Sequence, residues 1–187
     1  MLDQAIRRLK PATPDEVAQA VAQAGAMGRR IEVAGGGTKR AIGSMRPADL
    51  VLSTQRLDRV VDYAPEELTL TVQAGVRLAD IERLVAARGQ MLPFEPPRLT
   101  RLLRARGEPT VGGVIGANLS GPRRIRAGAA RDHLLGFEAV SGRGERFKAG
   151  GRVVKNVTGY DLMKLMAGSW GTLAILTELT LKVLPAA

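Results

Sequence analysis

The first regularity along the chain is a helical one. Val17, Ala20, Val21 and Ala24 recur at three- and four-residue spacing, which places them on one buried helix face. Thr13 precedes the run as an N-cap, Pro14 takes the first helical position, and Asp15 and Glu16 fill the first turn. A capping oxygen, a residue without an N–H and two negative charges all suit the positive, unpaired start of a helix. Gly28 ends the run. Arg30–Ala34 then reads as a strand leading into Gly35-Gly36-Gly37-Thr38-Lys39, and Asp49–Thr54 reads as a second strand. Leu68–Val72 alternates strictly and predicts a third. Leu78, Ile81, Leu84 and Val85 share one face of a helix over Val76–Arg88.

From Gly89 to Gly121 the pattern changes, with Pro93, Pro96, Pro97 and Pro109 interrupting regular structure. Thr110–Asn118 is small and apolar. Beyond it, His133–Val140 and Arg146–Lys148 predict antiparallel strands around Ser141-Gly142-Arg143-Gly144. A helix near Tyr160–Ala167 and two strands, Leu173–Thr177 and Thr180–Leu184, complete the chain. These elements predict an α+β fold in a single unit, residues 1–187. A small parallel β-α-β lobe takes about residues 1–92, and a larger, mainly antiparallel lobe with helices about residues 93–187. The glycine-rich segments fall near the seam.

Composition narrows the chemistry. The 187 residues contain no cysteine and one histidine, His133, so thiolate metal sites, iron–sulfur ligation and a histidine triad are not expected of this chain. His133 reads as a structural residue at a strand start. No window approaches the roughly 18 apolar residues of a membrane-spanning helix. Met1–Ala5 has no signal-peptide core, so a cytoplasmic location is expected. The net charge is +10. Between Arg98 and Lys155 only Glu108, Asp132, Glu138 and Glu145 oppose a run of Lys and Arg. Such a field attracts nucleic acid, anionic lipid or a polyanionic cofactor. Aromatic residues make up 3% of the chain, too few for base-stacking platforms.

Three glycine-rich segments remain. Gly35–Lys39 follows a strand and can present consecutive N–H groups to an anion, or simply make a tight turn. It satisfies neither the GxxxxGK[ST] nor the GxGxxG spacing. In the second, Gly112, Gly113 and Gly116 allow backbone to lie along a flat ligand, with Thr110 and Asn118 as hydrogen-bonding partners. The third is VVKNVTGYDLMKLMAGSWGTLAILT, Val153–Thr177. Its Gly168 and Gly171 mark a tight helix-to-strand join. Asp161 reads as a helix start and Tyr160 as an aromatic packed at the seam.

Together, GGGTK, TVGGVIGANLSGP, RAGAARDHLLG and VVKNVTGYDLMKLMAGSWGTLAILTELTLK resemble the FAD-linked oxidase family with its two-lobed, PCMH-type FAD-binding domain. Within that family the chain is most similar to the FAD-binding subunits of bacterial glycolate oxidases. The resemblance runs from about Pro14 to Leu184. It implies FAD, with Gly35, Gly36, Gly37, Thr38 and Lys39 cradling the pyrophosphate through backbone N–H groups and Gly43 on the far side. Thr110, Gly112, Gly113, Gly116 and Asn118 would border the isoalloxazine and ribityl chain. Gly121 and Arg123 would continue that wall, and Ile175 would offer backbone contacts. Lys155, Tyr160 and Asp161 belong to the most recognisable motif.

The implied activity is oxidation of a small 2-hydroxy acid such as glycolate. Electrons would pass through a partner flavoprotein subunit and an iron–sulfur subunit, with a peripheral station on the inner face of the membrane as an alternative location. Family members carry a carboxy-terminal substrate domain that these 187 residues lack, so a fragment or a minimal flavin module is expected. Trp170 stands where catalytic relatives commonly carry an acid, which suits an accessory flavin subunit. No catalytic residue is assigned. The alternatives are a stand-alone FAD module, a flavin reductase of the cell-wall type, and a basic nucleic-acid or membrane-surface module.

Overall fold

The structure is a computed structural model that describes residues 7–43, 47–151 and 160–186. Lys155 and Gly159 lie outside the described residues. Three short strands, β1 (Arg7–Leu9), β2 (Ile31–Ala34) and β3 (Leu50–Ser53), form a parallel sheet in the order β1-β3-β2. Helix α1 (Pro14–Ala26) connects β1 to β2. Its start is the one expected: Thr13 Oγ1 accepts from the Glu16 N–H at 3.2 Å, and the Glu16 carboxylate accepts from the Ala12 N–H at 2.7 Å. Such a cap contributes about 1 kcal/mol.

A second sheet has five antiparallel strands: β4 (Val60–Ala64), β5 (Thr69–Gln73), β7 (Leu134–Ser141), β8 (Arg146–Gly150) and β9 (Ala174–Lys182), in the order β4-β5-β9-β7-β8. Leu70, Val72, Leu179, Leu181 and Phe137 point to one face. There they meet α2 (Leu78–Ala86), α3 (Val111–Gly116) and α5 (Leu162–Met166) in the main core. A two-stranded pair, β6 (Gln90–Met91) with β10 (Leu184–Pro185), closes one edge, and a short α4 (Arg124–Ala127) follows α3.

Two expectations are corrected here. The change of sheet falls between Ser53 and Val60 rather than near residue 92, because β5 pairs along its length with β9. Alternation in Leu68–Val72 demands a half-buried strand but does not say which sheet receives it. The two strands expected at Leu173–Thr177 and Thr180–Leu184 are one, β9. Glu178 is no break: it lies on the polar face opposite Gln73 and Glu138, while a bulge at Glu138/Ala139 takes up the irregularity. Thr110–Asn118, small and apolar in sequence, contains α3. Val111, Val114 and Ile115 are buried at helical spacing, and Thr110 Oγ1 accepts from the Gly113 N–H at 3.4 Å.

The sheets are joined through α1. Val17, Val21, Leu52 and Leu57 bury together with Val140 and Ile175 from the ends of β7 and β9. Arg146 fastens this contact at the surface, donating to Asp15 at 2.6 Å and also pairing with Glu138. The parallel sheet is thereby held beside one end of the antiparallel sheet, and a cleft is left between them.

Candidate functional site

The cleft has a volume of about 330 Å³, at the lower end of the range for small-molecule sites. β2 and the loop Gly35–Arg40 form one wall, and Thr110–Ala117 forms the other. Ala74, Ala174 and Leu176 supply an apolar floor, with Trp170, Gly171 and Thr172 at the rim. Two glycine-rich segments separated by some seventy residues of chain therefore face each other across one space.

The loop is held by backbone contact. A Cβ on Gly36 would overlap the carbonyl oxygen of Glu108, one on Gly107 would overlap that of Gly36, and one on Gly35 would overlap Thr110 Oγ1. Side chains at these positions would push the walls apart. The opposite wall uses glycine in both ways: a Cβ on Gly112 would stand 2.7 Å from Ala74 O, whereas Gly113 and Gly116 have room. At Gly116 no atom lies within 4 Å of a built Cβ, and at Gly113 the nearest are Thr110 Oγ1 at 3.4 Å and Lys39 Nζ at 3.6 Å. These positions leave room in the cleft.

The loop also leaves donors free. Among the described residues, the N–H groups of Gly37, Thr38 and Lys39 have no protein acceptor. Thr38 is buried, and Lys39 Nζ lies 3.5 Å from its hydroxyl. Burial holds the Lys39 ammonium below its ordinary pKa of 10.5. Glu32, at the cleft edge, is already neutralised by Arg40 through two 2.6 Å contacts, Nε to Oε1 and Nη2 to Oε2. Among the charged residues lining the cleft, Glu32, Lys39 and Arg40, one positive charge is left uncompensated.

The rim is strained. Trp170 has φ +56° and donates its N–H to the Gly116 carbonyl at 2.8 Å, and the Gly168 N–H bonds to that of Ile115 at 3.1 Å. A left-handed backbone at a bulky residue costs about 1–2 kcal/mol. Here the turn is fixed to α3 on one side. On the other it presses on β2, where a Cβ on Gly171 would stand 3.2 Å from Val33 Cβ. Trp170 is about half exposed at the mouth.

Of the expected contacts, Gly35, Gly36, Gly37, Thr38, Lys39, Thr110, Gly112, Gly113 and Gly116 line the cleft. Five do not. Gly43 is exposed on the outer part of its loop. Asn118, at φ +49°, accepts from the Arg131 N–H at 3.0 Å. Gly121 donates to the Phe94 carbonyl at 2.8 Å, and a Cβ there would overlap Glu95 O. Arg123 pairs with Glu95 at 2.8 Å. Ile175 faces α1, while its neighbours Ala174 and Leu176 face the cleft. Alternation along β9 turns the Ile175 side chain away from the cleft, which leaves the expected backbone contact open.

Tyr160, expected at the seam, is 93% exposed. Asp161 caps α5 as expected, accepting from the Lys164 N–H at 3.2 Å. His133 does not line the cleft. It is buried, stacks on Phe94 at 5.7 Å, and its Nε2–H donates to the Ala127 carbonyl at 2.8 Å. Burial pushes its pKa down from 6.5. Ala74, Ala174, Leu176 and Trp170 were missed by the sequence reading, although Thr172-Ala174-Leu176 carries the two-residue period of a lining strand.

Residues 6–150 match the family described as FAD binding domain. The chain belongs to that family. This FAD-binding domain is 45% identical over 126 residues to the glycolate oxidase subunit GlcE of Escherichia coli, covering 67% of this chain and 34% of that protein. It is 36% identical over 174 residues to a D-2-hydroxyglutarate dehydrogenase of Xanthomonas citri, covering 92% of the chain and 35% of the relative. An uncharacterised FAD-linked oxidoreductase of Mycobacterium tuberculosis is 37% identical over 178 residues, 94% of the chain and 37% of the relative. The domain thus spans about a third of the length of these curated relatives. In fold it superposes on an alkyldihydroxyacetonephosphate synthase with a TM-score of 0.76 at 23% identity, covering 95% of this chain and 31% of that one. The cofactor of the domain is FAD, and the cleft fits it: free N–H donors and one unpaired ammonium suit a pyrophosphate, and the space beside Gly113 and Gly116 admits a planar group. Among the described residues no helix is long and apolar enough to cross a membrane.

Proposed function

We propose that this domain is the FAD-binding part of a 2-hydroxy-acid oxidase or dehydrogenase of the glycolate type, working with a partner flavoprotein subunit and an iron–sulfur subunit. The observation that carries the site is the convergence of Gly35–Lys39 and Thr110–Gly116 on one cleft with a surplus positive charge. The substrate class rests on the relatives, whose names include glycolate oxidase subunits and dehydrogenases of D-lactate and D-2-hydroxyglutarate.

Bound FAD supplies an acceptor for the hydride that leaves the hydroxyl-bearing carbon. The chain's own residues bind and orient it. The N–H groups of Gly37, Thr38 and Lys39 hold the pyrophosphate, and Thr110, Gly112, Gly113 and Gly116 border the ribityl chain and ring. Ala74, Ala174 and Leu176 keep water from the floor, which strengthens each polar contact above it. Trp170 flanks the mouth. Among the described residues the one carboxylate lining the cleft, Glu32, is held by Arg40. The base that takes the hydroxyl proton and the arginine that holds the substrate carboxylate therefore come from outside this domain. Gly43, Asn118, Gly121, Arg123 and the Ile175 side chain serve the scaffold around the site.

The test is reconstitution of the full-length protein with FAD, followed by turnover with a dye acceptor. Retained flavin colour and reduction by glycolate or D-lactate are the expected results. Protein that stays colourless after FAD addition overturns the cofactor site. Oxidation of NADPH without turnover of hydroxy acids overturns the substrate class and favours a reductase.

A further inference from the structure

We propose that the Lys39 side chain is the counter-charge for the cofactor's phosphates, and that the charge of its ammonium, beyond the backbone of its loop, sets how tightly the cleft holds a dinucleotide. The proposal rests on the reading of the cleft as the FAD site. It adds a side-chain role to a loop whose assignment otherwise needs only backbone N–H groups.

Position, charge and solvation point the same way. Lys39 Nζ lies between the two glycine-rich walls, 3.5 Å from Thr38 Oγ1 and 3.6 Å from a Cβ built on Gly113. It therefore reaches across the cleft from the loop that carries it. Among the described residues no carboxylate pairs with it, whereas neighbouring Arg40 is fully engaged with Glu32. The remaining groups facing the cleft, from Thr110–Ala117, Ala74 and Trp170–Leu176, carry no charge. A half-buried ammonium without a counter-ion is unfavourable, since burial removes water and nothing replaces it. In the same loop, among the described residues, the N–H groups of Gly37, Thr38 and Lys39 also lack a protein acceptor, and consecutive free N–H groups carry partial positive charge. An ammonium is a point charge with three rotatable donors, suited to phosphate oxygens on either side of a bridging oxygen.

Titration of FAD into the apo form of the full chain tests this. The flavin's own fluorescence reports occupancy, and Trp170, which lines the cleft, adds an emission signal. Lys39→Met keeps the aliphatic bulk and removes the charge. It is expected to weaken FAD about 10- to 100-fold, the scale of one charge-assisted hydrogen bond, and to flatten the dependence of affinity on salt. Its melting temperature is expected to hold or rise, because an uncompensated buried charge is gone. A merely structural lysine would instead lower it.

The pH profile adds a signature that packing alone would not move. Anion binding favours the protonated amine, so wild-type affinity is full at neutral pH. It falls as pH rises above the lowered free-state value towards 10.5. Ionisation of the flavin is common to all variants, so the difference between proteins isolates Lys39. Lys39→Met lacks this alkaline loss, and Lys39→Arg keeps the salt dependence but also lacks it, since guanidinium stays charged. A Met variant with wild-type affinity and salt slope overturns the proposal while leaving FAD binding intact. A wild type that takes up no FAD overturns the site reading and this proposal together.

Discussion

Gly36 and Gly116, on facing walls of the cleft, are the same amino acid used for opposite reasons. In Gly35–Gly36 the missing Cβ lets backbone pack on backbone, with Glu108 O and Thr110 Oγ1 filling the space a side chain would take. At Gly116 the missing Cβ leaves the space open. Gly35 and Gly36 serve closeness and Gly113 and Gly116 serve emptiness, while Gly112 beside them packs closely on Ala74. Glycine-rich sequence is therefore an ambiguous signal by itself, and the distinction predicts different outcomes for the same substitution.

Gly36→Ala should have the largest effect. The methyl group meets the Glu108 carbonyl, so the loop and residues 107–110 must separate, at a cost of about 1–3 kcal/mol. Both thermal stability and FAD retention should fall. A variant with wild-type stability would remove the packing role from this loop.

Gly116→Ala should split those two readouts. The methyl group meets nothing in the protein, and a helix position gains about 0.5–1 kcal/mol from losing glycine. Stability should hold or rise while FAD affinity drops about tenfold or more. Unchanged affinity, measured by the same fluorescence titration, would place the flavin away from α3.

The smallest effect tests a region outside the cleft. His133 is buried with a pKa below 6.5, so the folded state holds its proton less tightly than the unfolded chain does. Stability is therefore unaffected above about pH 6.5 and falls as pH drops through the ordinary value towards the folded one. Denaturant melts between about pH 6.5 and 5 carry this contribution beside that of Glu178, whose carboxyl burial holds above its ordinary value. The histidine part is the difference between wild type and variant. His133→Gln should remove that part without changing FAD affinity at neutral pH. A change in affinity there would tie His133 to the cleft after all.

Much of the architecture was legible because local rules acted without competition. Thr13-Pro14-Asp15-Glu16 starts α1 for reasons contained in four residues, and Asp161 caps α5 likewise. The nine cleft-lining residues within Gly35–Lys39 and Thr110–Gly116 were anticipated through the family resemblance, since glycines beside hydroxyls left a tight turn equally open at Gly35–Lys39. That Ala174 and Leu176 line the cleft while the Ile175 side chain does not was illegible, because a strand's alternation gives two faces without naming them. Tyr160 failed because an aromatic ring in an apolar motif says nothing about whether a neighbour covers it. Asn118, Gly121 and Arg123 share composition with the site but are engaged by Arg131, Phe94 and Glu95, partners that only the folded chain brings near.

By itself, the sequence determined the helices with caps, the strand periods, the FAD-binding family and the absence of cysteine. Each depends on neighbours within a few residues or on composition. The tertiary structure alone decided that β5 joins β9, that Gly36 packs while Gly116 opens, and that Lys39 is left without a counter-charge where Arg40 is not. Those outcomes depend on distances between residues far apart in the chain, and a strand's pattern or a lysine's identity carries no information about what lies across a cleft.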